Sequence, residues 1–175
     1  RLKLVDTKDT RSCFPFFFTL LMDVCLKEKS LHISVKIYNQ GQESMPFSFG
    51  LHPYFQVSNL QKIKIDGLPK KCIDQTNMKV TNSSDQIRIL DKGVDFVSYP
   101  SRLVKLYDFQ SRNVIELIHQ DPMDTTVIWT DPPRKMVCLE PWTSPRNSLV
   151  TGDRKLEIQP EEYTELFTTF KHNSF

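Results

Sequence analysis

The sequence predicts an all-β protein built as a β-sandwich, and three observations lead to this prediction. Alternation of apolar and polar residues recurs in short segments along most of the chain. No long stretch keeps the 3.6-residue period of an amphipathic helix. Eleven prolines but only five glycines separate the segments. With 175 residues, 39% of them hydrophobic, and no linker or repeat, residues 1–175 are expected to form a single domain.

The first predicted strands form a hairpin. Residues 16–26 are apolar and aromatic, the polar residues 27–30 are typical of a hairpin loop, and residues 31–37 alternate strictly. In that second strand Leu31, Ile33, Val35 and Ile37 share one face, so one side of it is expected to be buried. A turn at residues 39–42 follows, and alternation resumes at residues 47–49.

The rest of the chain continues in the same manner. Short alternating or continuous apolar segments predict eight further strands, at residues 62–65, 86–90, 103–107, 114–118, 126–129, 136–139, 155–158 and 163–170. Many short strands joined by turns, without an intervening helical pattern, favour a sandwich or a barrel.

Composition excludes several classes of function. The 23 basic and 21 acidic residues are dispersed and give a net charge of +2, which is not the basic footprint of a nucleic-acid-binding protein. The apolar run at residues 13–22 is too short to span a membrane. The four cysteines are far apart and lack zinc-ligand spacing, so no metal site is predicted. A reducing compartment, the cytoplasm or another intracellular one, is favoured, and two disulfides in a secreted protein are the alternative.

Two residues stand out chemically. His52 ends an apolar run and precedes a proline, which favours an extended backbone at the edge or mouth of a sheet. Glu140 follows three apolar residues; it either marks where a strand meets water or is partly buried, in which case its pKa would rise. Trp142 is either a core residue or a flat surface for a sugar ring. Taken alone, none of these residues distinguishes a structural role from a catalytic one.

Longer motifs carry a resemblance to a known family. The segment GLHPYFQV at residues 50–57, preceded by MPFSF at residues 45–49, resembles the central signature of the aldose 1-epimerase (mutarotase) family. Within that family it is most similar to the branch that includes hexose-6-phosphate epimerases. VDFV at 94–97, VIW at 127–129 and CLEPW at 138–142 follow in the family's order.

The resemblance implies a galactose mutarotase-like β-supersandwich that interconverts the α and β anomers of an aldose or aldose 6-phosphate. It implies His52 as the general acid towards the ring oxygen and Glu140 as the base for the anomeric hydroxyl. It also implies Asp95, with Asp74 as a second candidate, as the aspartate that holds sugar hydroxyls. Tyr54, Trp142 and Arg146 complete the expected substrate-binding residues, and no metal or organic cofactor is expected.

Family members are usually longer, and their first part supplies a further arginine and histidine that bind substrate. The resemblance therefore implies that these residues are the C-terminal portion of the sandwich, whose open sheet edges another segment or chain would cover. The alternative function is a non-catalytic carbohydrate-binding or accessory subunit, similar to the mutarotase-like subunit of the chloroplast NADH dehydrogenase-like complex. A chloroplast location would accompany that alternative.

Overall fold

A computed structural model of the protein describes residues 1–174, and fifteen β-strands account for most of them. The strands are β1 (Leu2–Val5), β2 (Phe18–Lys27), β3 (Ser30–Asn39), β4 (Met45–Phe47), β5 (Tyr54–Gln56), β6 (Ile63–Asp66), β7 (Lys71–Asp74), β8 (Lys79–Asn82), β9 (Val94–Ser98), β10 (Leu103–Asp108), β11 (Asn113–His119), β12 (Thr125–Thr130), β13 (Met136–Trp142), β14 (Leu156–Ile158) and β15 (Tyr163–Ser174). Two short helices, α1 (Ser83–Ile87) and α2 (Ser148–Thr151), and three single 3-10 turns lie between them.

The strands form two large antiparallel sheets and one small one. A seven-stranded sheet has the order β1-β2-β3-β15-β11-β10-β6, and a six-stranded sheet has the order β5-β13-β12-β9-β7-β8. β14 and β4 make a separate two-stranded sheet. The predicted all-β sandwich is therefore confirmed.

The predicted first hairpin is present as β2 and β3. Their pairing runs from Phe18 opposite Asn39 to Lys27 opposite Ser30, which leaves only two residues in the turn. On β3, Val35 and Ile37 are buried, as the alternation predicted. A strand with one buried face has a strongly specified register, because a slip of one residue would expose that face.

The main core lies between the two large sheets. Phe96, Ile128 and Leu139 of the six-stranded sheet pack in one cluster with Leu106 and Leu117 of the seven-stranded sheet, and all five are buried. A second cluster fills the space beneath the small sheet and contains Val35, Ile37, Met45, Phe47, Met123, Ile158 and Leu166. The opposite face of the six-stranded sheet points away from this main core.

The predicted strand at residues 86–90 is wrong. The chain there forms α1 followed by a 3-10 turn at Leu90–Lys92. Asp85 lies in the first helical turn, where a carboxylate is favourable, and Asn82 precedes the helix. The apolar residues of the helix and turn pack on the main core. Their spacing therefore reflects the buried face of a helix and not a strand.

Five strands escaped prediction: β1, β5, β7, β8 and β9. They have three to five residues each, so alternation gives only a weak signal for them. β5 lies at the edge of the six-stranded sheet, where β13 is its neighbour in the described structure. Within residues 1–174, no helix is both long and apolar enough to cross a membrane.

Candidate active site

Strand β13 presents two chemically different faces. Val137 and Leu139 belong to the main core, so the alternation of a strand places Cys138, Glu140 and Trp142 on the opposite face. We call this side of the six-stranded sheet, which points away from the main core, the site face. The same alternation along β12, β9 and β5 adds Trp129, Asp95 and Tyr54 to it.

Sheet register brings His52 to Glu140. Tyr54 pairs opposite Cys138 and Gly50 opposite Trp142, so His52 lies opposite Glu140. The backbone N–H of Leu51 donates to the Pro141 carbonyl, which makes the neighbouring pair the hydrogen-bonded one. His52 and Glu140 therefore form a non-hydrogen-bonded pair, in which side chains approach most closely. His52 Nδ1 lies 3.3 Å from Glu140 Oε1.

Glu140 is a buried carboxyl group on an otherwise open face. Its residue is 1% exposed, and its Oε2 atom accepts no hydrogen bond from any described residue. Desolvation by burial raises the pKa of Glu140 to about 7; the charge of Asp95 adds to the rise, while the Trp142 side chain and Arg146 oppose it. A carboxyl group with this pKa is suited to gaining and losing a proton near neutral pH.

Aromatic side chains orient His52. The Tyr54 ring stacks on the imidazole at a centroid distance of 5.0 Å and an angle of 10°. The Trp129 ring meets the imidazole edge-on, at 5.8 Å and 84°. Arg134 in turn lies over the Trp129 ring, 5.4 Å from its centroid. Since the His52 side chain is 52% exposed, these rings and Glu140 fix its direction while one side stays open to a ligand.

Asp95 is on the same face, two strands from Glu140. It pairs opposite Trp129 in the register of β9 with β12. Gln75 donates from Nε2 to Asp95 Oδ1 at 2.7 Å, and Arg146 lies 3.3 Å from Oδ2. The structure thus brings the predicted residues Asp95 and Arg146 into contact with each other, in a position to hold hydroxyl groups.

Trp142 forms part of the wall of the site. A Cβ atom added to Gly50 would lie 2.5 Å from Trp142 Cδ1, so only glycine lets the backbone pass so close to the indole. Trp142, Arg146 and His52 line a cavity of about 570 Å³ between the chain before β5 and the segment around α2. On its other side His52, with Pro53 and Leu51, borders an apolar groove of about 440 Å³ between the two large sheets.

Asp74, the second aspartate candidate, is held in a local turn. Its carboxylate accepts hydrogen bonds from the Thr76 backbone and side chain and from Asn77, in the turn between β7 and β8. These hydrogen bonds hold the pKa of Asp74 below its usual value. Such side-chain-to-backbone bonds are typical of aspartate in turns, and they occupy the Asp74 carboxylate within its own turn.

Three residues at the site were not proposed from sequence. Cys138 is buried between Glu140 and the start of β13, Trp129 contacts His52, and Gln75 holds Asp95. The alternation of the predicted strands at 126–129 and 136–139 contained a signal for the first two, because it places them on the face opposite the core. Gln75 follows the short strand β7 and had no such signal.

An antiparallel sandwich of this topology, with a histidine and a buried carboxylate paired on one open sheet face, defines a galactose mutarotase-like protein. The chain belongs to the aldose 1-epimerase family, whose family model matches residues 1–162. The family predicted from the motifs is therefore confirmed. Among curated proteins, no sequence matches this chain.

Solved structures agree with this assignment. A Synechocystis protein is similar over 99% of this chain, with a TM-score of 0.95 and 27% identity. A galactose mutarotase-like protein from Clostridium acetobutylicum matches 99% of the chain with a TM-score of 0.83 and 16% identity, and a galactose mutarotase related enzyme from Lactobacillus acidophilus matches 98% with a TM-score of 0.76 and 19% identity. The chain spans 61%, 62% and 67% of these three proteins, respectively.

Proposed function

We propose that the protein interconverts the α and β anomers of an aldose or an aldose 6-phosphate by acid/base-catalysed ring opening. The contact between His52 and the buried, partly unsatisfied carboxyl group of Glu140, facing an open cavity, carries this proposal. Family membership and the mutarotase-like structural neighbours support it. No step of the reaction requires a metal or an organic cofactor.

The reaction needs one proton removed and one delivered. Glu140, as the carboxylate, takes the proton from the anomeric hydroxyl, while His52, as the imidazolium, donates a proton to the ring oxygen. The bond between the anomeric carbon and the ring oxygen breaks, and its electron pair goes to that oxygen as the carbonyl forms. After rotation about the bond next to the aldehyde, the same two groups reverse the transfers and close the ring as the other anomer.

Other residues of the site face would hold the sugar. The Trp142 ring offers an apolar surface at the cavity wall, and Asp95 with Arg146 offers acceptors and donors for hydroxyl groups. Tyr54 contributes through its stacking on His52. A 6-phosphate would engage Arg146. Arg134 and Lys135 lie just before β13, and Arg134 is already paired with Asp131.

The alternative function, a non-catalytic carbohydrate-binding or accessory subunit, is favoured by a separate observation. The edge strand β5 lies beside the apolar groove that His52 borders. A sandwich whose site borders an open sheet edge could bind a sugar, or another chain, without catalysing a reaction. We infer under either reading that the 175 residues are one domain, the C-terminal portion of the mutarotase-like sandwich.

Anomer exchange measured by saturation-transfer proton NMR tests the proposal on glucose, galactose and glucose 6-phosphate. We expect acceleration that Glu140→Gln lowers by about 10²- to 10⁴-fold, because one proton-transfer group is lost. Glu165→Gln is a matched control, since Glu165 forms a cross-strand pair with Lys36 on the other sheet. Its exchange rate should equal that of the unchanged protein.

The outcomes separate the two functions. Acceleration with any one sugar identifies an epimerase and its substrate. Sugar binding in the NMR titration without acceleration would overturn the catalytic proposal and support the accessory-subunit alternative. An equal effect of both glutamate substitutions would remove Glu140 from the mechanism.

A further inference from the structure

We propose that His52, Cys138 and Glu140 form a binding site for a transition-metal ion of the Zn²⁺ class, and that metal bound there blocks the proposed acid/base pair. The blocking part of this inference rests on the proposed function, whereas the binding part does not. Sequence spacing excluded such a site because the residues are far apart along the chain; strand pairing assembles it.

The three side chains converge from two adjacent strands. Cys138 and Glu140 are two residues apart on β13 and share the site face, and His52 lies opposite Glu140 across the strand pair. One ligand atom from each residue lies within 4.8 Å of the other two. Alternate residues of one strand together with a residue of its neighbour can surround a single ion without any change of backbone path.

The spacing is slightly wider than that of a bound site. Zinc bonds of about 2.0–2.3 Å in a tetrahedral arrangement separate the ligand atoms by roughly 3.3–3.8 Å. The widest ligand separation must therefore close by roughly 1.0–1.5 Å at most. His52 can supply this movement, because its side chain is half exposed, whereas Cys138 and Glu140 are buried on β13.

A second observation also points to a ligand. Glu140 Oε2 is buried and accepts no hydrogen bond among residues 1–174. A buried polar atom without a partner is destabilising by about 1–3 kcal/mol, so such atoms in proteins usually face a ligand, a water or an ion. The Cys138 thiol donates one weak hydrogen bond, to the Met136 sulfur at 3.9 Å, which a metal–sulfur bond would replace.

The ligand set selects the class of metal. Thiolate and imidazole favour zinc, cobalt and cadmium over magnesium and calcium, which prefer oxygen ligands. A divalent ion with one thiolate, one carboxylate and a neutral imidazole has no net charge, which suits a buried position. On binding, the Cys138 thiol releases its proton to solvent and a metal–sulfur bond forms, so no oxidant or reductant is involved.

The metal would compete directly with the proposed chemistry. It would occupy the imidazole and the carboxylate oxygen that otherwise exchange protons with a sugar. Three protein ligands leave a fourth position for water, towards the side of His52 that is open to solvent. Metal bound in this way is predicted to stop anomer exchange, and a chelator is predicted to restore it.

Cobalt(II) titration of the full 175-residue protein provides the test, because a Co²⁺–thiolate bond absorbs in the near ultraviolet. We expect a charge-transfer band that saturates at one equivalent of Co²⁺ and that Zn²⁺ displaces. Cys138→Ser should abolish the band, and whatever rate of anomer exchange that variant has should be insensitive to Zn²⁺. Cys25→Ser, which changes an exposed thiol, should keep the band unaltered.

Glu140→Gln gives an independent reading if the serine variant does not fold. It keeps the thiol, and it should weaken Co²⁺ binding by at least about tenfold, because one ligand becomes neutral and a poorer donor. Absence of a band in the unchanged protein would overturn the site, as would a band that survives Cys138→Ser. Neither result depends on sugar turnover, so failure of the metal site and failure of the proposed function are distinguishable.

Discussion

The two large sheets carry cross-strand pairs of the same kind with different surroundings. On the outer face of the seven-stranded sheet, Lys36 pairs with Glu165 at 3.0 Å and Lys105 with Glu116 at 2.7 Å. On the site face of the six-stranded sheet, His52 pairs with Glu140 at 3.3 Å. The carboxylate side chains are 43% exposed in Glu165 and 18% in Glu116, but only 2% in Glu140.

This difference shows which property separates the proposed catalytic carboxylate, Glu140, from the carboxylates of the outer ion pairs. The outer pairs are partly solvated, and the pKa of Lys36 and of Lys105 is raised because each donates to its glutamate. Such pairs contribute little to stability. In the site pair, burial opposes the charge, raises the pKa of Glu140 to about 7 and leaves one oxygen unsatisfied. Burial without a full set of partners, and not the presence of charge, marks the site.

The largest predicted effect is on the rate of anomer exchange, when His52 and Glu140 are substituted singly and together. His52→Asn and Glu140→Gln should each lower the rate of anomer exchange by about 10²- to 10⁴-fold. The double variant should lose little more than the worse single variant, because the two groups act in one concerted transfer. The Lys36→Met and Glu165→Gln cycle should leave the rate unchanged. Multiplicative losses in the site pair, measured by NMR exchange, would contradict a shared step.

The next effect concerns how tightly the site face is packed. Gly50→Ala places a methyl group 2.5 Å from the Trp142 ring, so the indole or the backbone must move. We expect a loss of about 1–3 kcal/mol in the free energy of unfolding, as for overpacked cores. Gly41→Ala is the control, because its nearest neighbour, Asn39 Oδ1, would lie at 3.3 Å. Urea unfolding measures both, and equal losses would contradict the special tightness at Gly50.

A third prediction extends the role of burial to a group outside the site. His119 is 2% exposed, and burial lowers its pKa from 6.5 to about 4. The unfolded chain therefore takes up a proton at higher pH than the folded one, and stability falls as the pH falls from about 6.5 towards 4. Between pH 7 and pH 5 we expect this residue to account for a loss of about 2 kcal/mol.

His119→Gln isolates that contribution. Urea unfolding of the unchanged protein and of the variant is compared at both pH values, and the variant should lose less stability on acidification. The Asp121 charge, which opposes the lowered pKa, is the same in both proteins. An identical loss in the two proteins would show that other groups cause the pH dependence.

The smallest effect is expected on the outer sheet face. Glu116→Gln should shift the unfolding midpoint only slightly, and the shift should shrink between about 0.1 M and 1 M salt, where the Debye length falls from about 10 Å to about 3 Å. A shift as large as that from Gly50→Ala, or one that ignores salt, would mean that this pair resembles the site pair more than its exposure suggests.

The fold and the candidate residues His52 and Glu140 could be predicted from the sequence, but the contact between those two residues could not. Alternation is a local signal, so the β2–β3 hairpin and the strand at 136–139 could be predicted directly. The pairing of His52 with Glu140 depends on strands far apart in the chain, and family motifs indicated those residues without indicating contact. Their predicted catalytic roles remain proposals that the NMR experiment tests.

The features that the sequence could not show have equally specific causes. Residues 86–90 predict a strand because Ile87 and Ile89 alternate with polar residues, but the end of α1 and the turn after it also pack both side chains, partly buried, against the main core. Asp74 was an open candidate because hydrogen bonds to its own turn cannot be seen in a list of residue types. The proposed metal site has no counterpart in the sequence analysis, because spacing along the chain says nothing about neighbours across a sheet.

The pairing of β5 with β13 also determines which changes in sequence this protein can tolerate. Side chains alternate between the faces of a strand, so inserting or deleting one residue between Gly50 and Tyr54 would turn His52 from the site face towards the interior of the sandwich. Substitutions alter one partner of the site, whereas a change of length by one residue separates the partners altogether. Natural variation in this segment should therefore consist of substitutions at a constant length.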